Sequence, residues 1–409
     1  MANTPPVSND ELRERIIRRT REEQAYHENP VYLRRERERK QDRARDILVL
    51  AALILTLIAG VVLYVKNYRF TTYSVDEEIS FGDLKQTRLY AFGNGVVSLG
   101  TDSLNYIEKG TIVWSQVISL DDPVFASKGD FFALCDKNGY TFYVCDATGV
   151  LSSARVSRKI RGLDIASTGV TAVFTEGDEA AYISYFDRFG NKLSVEVKTV
   201  FTASGYPVKI ALSPDGNRLL VLFYSLQNGI GESRLVLYDF ENGKSSESYV
   251  EYKGEDFYES GNLLMDAAFF DDARFAAVGD QEVRFMTCTH VRKAEVTEKS
   301  LPLTDEVRSV LFSGRHVLVT RKTDEGMTAS VYDTSGNETA SFAVPENYSD
   351  ICFSDEAVVF LEDREVTYYN LSGKLRYEGE LVSEPLSAVL SGKSLVINTG
   401  EKLQKLTFK

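Results

Sequence analysis

Three histidines (His27, His290 and His316), four cysteines (Cys135, Cys145, Cys288 and Cys352) and one tryptophan, Trp114, are the residues from which this chain could build a metal centre or a nucleophile with its base. Their spacing supports neither. A structural zinc site needs four Cys or His ligands in close pairs, and these cysteines are scattered, with no Cys or carboxylate spacing beside His290 or His316. No P-loop, H-E-x-x-H, calcium loop or G-x-S-x-G pentapeptide occurs. Gly229-Ile-Gly231 lacks the third glycine of a dinucleotide fingerprint and reads as a turn. No cofactor is expected, and the cysteines are expected as buried free thiols.

What remains is recognition chemistry. The run 252–261, YKGEDFYESG, sets Tyr252, Phe257 and Tyr258 beside Glu255, Asp256 and Glu259. Aromatics next to acids suit a partner with a basic or cationic surface. Gln227 and Asn228, in a polar stretch over 225–233, are expected as a loop beside it. Glu176, Asp178, Glu179, Asp324 and Glu325 are expected on the same side of the molecule. The plain alternative is a set of solvated loops on an acidic protein.

Elements must position these loops, and a repeat identifies them. After residue 75 the chain becomes short runs of period two, rich in Val, Tyr, Phe and Thr. A junction recurs as Cys145-Asp-Ala-Thr-Gly149, Phe186-Asp-Arg-Phe-Gly190, Tyr238-Asp-Phe-Glu-Asn-Gly243, Tyr332-Asp-Thr-Ser-Gly336 and Tyr369-Asn-Leu-Ser-Gly373. Asp or Asn binds the turn backbone and Gly supplies positive φ, so each junction is a hairpin turn between the third and fourth strands of a unit. First strands are expected near residues 87, 121, 159, 206, 262, 305, 347 and 385, a pitch of about 43 residues. That pitch suits four-stranded propeller blades. The final unit, 385–409, has room for three strands, and 78–84 supplies a fourth. The expected fold is therefore all-β, an eight-bladed β-propeller over 78–409 closed between its two ends; seven blades is the alternative, because the first two units lack clear turn signatures.

The rest of the chain is of another kind. Residues 47–65 (ILVLAALILTLIAGVVLYV) carry no charge over nineteen positions, enough for a helix to cross about 30 Å of hydrocarbon. Forty-six residues precede this stretch, far more than a signal peptide's n-region, so it is expected to stay as an anchor. Arg34, Arg35, Arg37, Arg39, Lys40, Arg43 and Arg45 lie before it and Lys66 and Arg69 after it, which predicts a cytoplasmic N-terminus and an extracellular propeller at the plasma membrane. Residues 1–46 read as a charged, partly helical cytoplasmic tail with Ser8 and Glu11 as a capping box, and 66–77 as a linker. Such a linker predicts that the face of the third-to-fourth-strand turns looks toward the membrane. Residues 67–409 hold 34 basic and 50 acidic side chains, a net of −16 that excludes nucleic acid as a partner.

Ser213-Pro-Asp-Gly216, followed by RLLVLF and LVLYD, is similar to a blade signature of bacterial propellers. The whole layout resembles an uncharacterised family of single-pass, membrane-anchored propellers from Gram-positive bacteria, a family that implies no active-site residues. Enzymatic propellers are recognised by residues missing here. Sialidases need Asp boxes with Trp and quinoprotein dehydrogenases need Trp-rich repeats, while prolyl-peptidase-like enzymes need a hydrolase domain. The expected function is a non-catalytic, membrane-tethered module that binds or scaffolds a protein or envelope component. The alternatives are an extracytoplasmic hydrolase or lyase working in the propeller channel and, more weakly, a sensor.

Overall fold

The computed structural model describes residues 9–27, 30–227, 229–240, 249–252, 263–290, 295–304 and 306–409. They divide into two units, 1–68 and 69–409.

The first unit is helical. Helix α1 spans Asn9–His27 and helix α2 spans Pro30–Asn67. Pro30 opens α2 at a position where its missing N–H removes no helical hydrogen bond. The stretch Arg45–Val62 within α2 is long and apolar enough to cross a membrane, and none of it is buried. Thr56 Oγ1 turns back onto the Leu53 carbonyl at 2.8 Å, which satisfies the one hydroxyl in this stretch. Ser8 lies outside the described residues.

The second unit consists of eight four-stranded antiparallel sheets, the blades of a propeller. First strands begin at Arg88, Pro123, Lys159, Tyr206, Leu264, Glu306, Asp350 and Ser387, each within three residues of its expected start. The second strands carry the core. All five residues of Gly95–Leu99 are buried, as is Phe132–Cys135 in the next blade, because these strands are covered on both faces. Outer strands such as Thr111–Val117 are largely exposed. Each blade packs on the next through an apolar cluster; between blades three and four it holds Phe174, Ile183, Tyr185, Leu212, Val221 and Phe223.

The recurring junction works by one geometry. Asp187 Oδ1 accepts from the amides of Phe189 and Asn191, both at 2.9 Å, and Asp333 Oδ1 from those of Ser335 and Asn337 at 2.8 and 2.9 Å. Asn370 does the same with Ser372 and Lys374 at 3.2 and 3.0 Å. Gly336 and Gly373 have φ of 73° and 75°, and a Cβ on either would stand 2.6 Å from the ring of Phe285 or Phe342 in the preceding blade. Glycine is required there twice over, for the turn and for blade packing. Blade one makes its turn with Lys109 and Gly110, both at positive φ, so it lacks the Asp signature. Residues 241–248 of the blade-four junction lie outside the described residues.

Closure joins the chain ends. Tyr73–Ile79 pairs antiparallel with Leu403–Phe408, from Tyr73 opposite Phe408 to Ile79 opposite Leu403. The strand thus begins five residues before Glu78, and Phe70 N already donates to the Arg376 carbonyl at 2.6 Å. Three ion pairs cross this one ladder: Asp76 with Lys409 at 3.8 Å, Glu77 with Lys405 at 3.1 Å and Glu78 with Lys402 at 2.7 Å. Phe408 packs among the rings of Tyr73, Tyr368 and Tyr377 at centroid distances of 6.3, 5.1 and 4.7 Å.

Candidate functional site

Successive strands of a blade run in opposite directions, so the turns sort to two faces. First-to-second and third-to-fourth turns share one; second-to-third turns and the connections between blades share the other, here termed the loop face.

The expected patch falls only partly within view. Tyr252 ends the outer strand Tyr249–Tyr252 of blade four. Glu255, Asp256, Phe257, Tyr258, Glu259 and Asn228 lie outside the described residues. Gln227 is not in a loop. The strands Arg218–Gln227 and Ile230–Asp239 keep their pairing to the end, Leu226 opposite Gly231 and Gln227 opposite Ile230. The expected loop over 225–233 is therefore strand up to Gln227 and again from Ile230. Its polar composition concealed this strand pairing; Gly229 has φ of 82°.

Glu176, Asp178 and Glu179 do lie together, at the turn Gly177–Glu179 of blade three. Gly177 N donates to the Ala180 carbonyl at 2.9 Å, which leaves Asp178 and Glu179 exposed at the tip. Glu176 accepts from Arg161, which also donates to Asn138 of blade two. Beside this turn lies a cavity of about 680 Å³ lined by Tyr140, Arg158, Lys159, Glu176, Asp178, Glu179, Tyr182, Lys198 and Val200. Strand register puts Lys198 directly opposite Tyr182, with Nζ 5.7 Å from the ring centroid. Arg158 arrives from the connection between blades two and three and lays its guanidinium 3.8 Å from the same centroid. A cation over an aromatic ring is attracted by the ring's negative face. The Lys192 ammonium, the Ser184 hydroxyl and, more distantly, the Arg158 charge hold the Glu196 carboxyl below its usual range.

The channel is another concavity. A space of about 550 Å³ is lined by first strands of blades two to six, including Phe125, Lys128, Asp164, Lys209, Asp266 and Phe312. Its charges are committed to one another. Lys128 Nζ lies 3.4 Å from Asp164 Oδ2 and donates to the Leu212 carbonyl at 2.5 Å, while Leu212 N donates to Asp164 Oδ2 at 2.6 Å. Lys209 and Asp266 pair at 2.9 Å. Blades two, three and four are thus tied where their first strands finish, and the Lys209–Asp266 pair joins blade four to blade five.

The opposite face is structural. Asp215 N donates to Asp272 Oδ1 in the next blade at 2.8 Å, and Asp355 accepts from Ser313 Oγ at 2.6 Å and Arg315 N at 2.8 Å across the junction of blades six and seven. Burial acts against the Asp355 carboxylate, but these donors and His316 outweigh it and keep the group below its usual range. His316 therefore opens the strand His316–Thr323 beside this turn, with Nδ1 3.3 Å from Asp355. Burial pushes the Cys135 thiol up to about 12, and all four cysteines are buried and form no disulfide.

No match was found among curated proteins. Solved structures share the architecture at low identity. AztD from Citrobacter koseri is 11% identical with a TM-score of 0.51, covering 74% of this chain and 88% of that one. Sqt1 from Chaetomium thermophilum is 14% identical with a TM-score of 0.51, covering 83% and 100%. BamB from Moraxella catarrhalis is 11% identical with a TM-score of 0.48, covering 82% and 100%. These likenesses bear on the fold alone. Residues 66–408, the whole propeller with the few residues before it, match one family model, and the chain belongs to that family of unknown function, DUF5711.

Proposed function

We propose that this protein is a membrane-tethered, non-catalytic binding module whose propeller lies outside the cell and engages a protein or envelope component through its loop face. The observation that carries this reading is the cavity of about 680 Å³ at blades two and three, where Arg158, Lys198, Asp178 and Glu179 stand ready on a fixed scaffold. Its volume is within the roughly 300–1,000 Å³ of ligand pockets. The channel gives the catalytic alternative no comparable support, since its amines and carboxylates already pair with each other. Gln227 and Tyr252 end strands of blade four on this same face, and with Asn228, Glu255, Asp256, Phe257, Tyr258 and Glu259, proposed from the sequence alone, they form a second part of the proposed surface. The apolar part of α2 serves as the tether, oriented by the arginines before it. Among propellers of this fold, Sqt1 from Chaetomium thermophilum is bound to the N-terminus of the ribosomal protein L10 in one solved structure, with a TM-score of 0.50.

Two measurements test the reading together. Protease added to intact cells should digest a C-terminal tag and spare an N-terminal one. Cross-linking capture of the full chain from membranes should recover a component that is lost when the loop face is altered at Tyr252, Phe257 and Tyr258 or at Arg158 and Lys198. A protected C-terminal tag, or a capture indifferent to both sets of changes, refutes it.

A further inference from the structure

The cavity between blades two and three carries opposite charges that are not spent on each other. Arg158 and Lys198 approach the ring of Tyr182 at 3.8 and 5.7 Å. Among the described residues neither has an ion-pair partner, and the same holds for Asp178 and Glu179. Yet the two sets are neighbours. A Cβ on Gly177 would stand 3.6 Å from Arg158 Nε, and the acids follow one and two positions along the chain. Elsewhere in this region opposite charges do pair, as Arg161 does with Glu176. Arg158 lies against Tyr182, and a guanidinium there can still offer its N–H groups to a planar acceptor such as a carboxylate.

The charge pattern selects among ligands. A polyanion would meet Asp178 and Glu179 at the rim and the net −16 of residues 67–409 beyond it. A simple inorganic anion would fill little of about 680 Å³. A ligand with one carboxylate and one ammonium group satisfies both sets of charges at once. We infer that this groove binds a short peptide, its carboxylate held by Arg158 and Lys198 beside Tyr182 and its ammonium group by Asp178 and Glu179. The inference deepens the binding-module reading and rests on it.

Calorimetric titration of the full chain in detergent tests it with four probes: alanyl-lysyl-alanine with free termini, its C-terminal amide, its form acetylated on both amines, and inorganic phosphate. Hydrogen bonds to charged groups contribute about 1.5–3 kcal/mol, so loss of either charge on the peptide should weaken binding about 10- to 100-fold. Arg158→Met should weaken the free peptide by a similar factor and become indifferent to amidation while remaining sensitive to acetylation. The double variant Asp178→Asn, Glu179→Gln should show the reverse. Each variant should melt with the wild type. Equal binding of peptide and amide, phosphate binding as tightly as the peptide, unchanged affinity in Arg158→Met, or no peptide binding at millimolar concentration overturns the inference. If it fails while capture still yields a partner that Arg158→Met retains but the Tyr252, Phe257 and Tyr258 changes lose, the binding-module reading stands with its site elsewhere. If capture also yields none, both fall.

Discussion

Replacing Phe408 by Ala tests whether the ring depends on its closing strands. Phe408 is 6% exposed and touches three rings, Tyr73 from the N-terminal strand and Tyr368 and Tyr377 from blade seven. Truncating a buried Phe costs about 3–5 kcal/mol in lost transfer energy and cavity. Unfolding entropy of about 2.1 cal/mol/K per residue, over the roughly 340 residues of the propeller unit, gives about 0.7 kcal/mol/K. The melting temperature should therefore fall by about 4–7 °C. Hydrogen exchange followed by mass spectrometry should show the loss concentrated in peptides covering 73–79 and 403–408. Phe189→Ala is the control, since Phe189 is 60% exposed at a turn and its truncation should stay within about 0.5 kcal/mol. A Phe408→Ala protein that melts within a degree of that control, with unaltered exchange in both closing strands, would falsify the account of closure.

The turn carboxylates make stability depend on acid. Asn191 bonding to Asp187, with the backbone amides at that turn, keeps its carboxyl below the usual range; at Asp333 burial works the other way but the Asn337 and Ser335 bonds prevail. A group with a lowered folded pKa stabilises the protein above its unfolded pKa of about 3.9, and that stability is lost as pH falls through the folded value. The melting temperature should thus drop steeply below about pH 4, and less steeply in Asp187→Asn, Asp333→Asn, which copies the natural Asn370 turn. The buried thiols should not react with a disulfide reagent in the native state, and all four should react after denaturation; rapid native labelling would contradict the packing around Cys135, Cys145, Cys288 and Cys352. For the groove, Arg158→Met should separate the two charges of a bound peptide, as set out above.

Blade count and strand starts were legible in the sequence because hairpin turns are local. Asp333 needs only Ser335, Gly336 and Asn337 to make its turn, and all lie within four residues. The blade-one turn escaped because Lys109-Gly110 solves the same geometry with positive φ at both residues and without an acid. The groove was hidden for a different reason. Tyr182 and Lys198 meet only through strand register, and Arg158 joins them from an inter-blade connection. The first contact had a signal: counting back from the Asp187–Gly190 turn approximates the register, although the bulge between Ser184 and Phe186 shifts it. The second needs blade-to-blade packing, which no short motif encodes. Gln227 misled because polar residues at the end of a long strand look like loop residues when read without their partners.

The ion pairs at the chain ends bear on how the protein is made. At about 5–20 residues per second, the segment Tyr73–Ile79 waits tens of seconds for Leu403–Phe408 to be synthesised. Through that interval it is an unpaired edge, the kind that invites pairing with a foreign strand. Its three consecutive acids, Asp76, Glu77 and Glu78, make every such pairing electrostatically poor unless the newcomer brings matched cations. The last eight residues of the chain bring them as Lys402, Lys405 and Lys409. The same charges thus guard an orphan strand during synthesis and identify its rightful mate at the end.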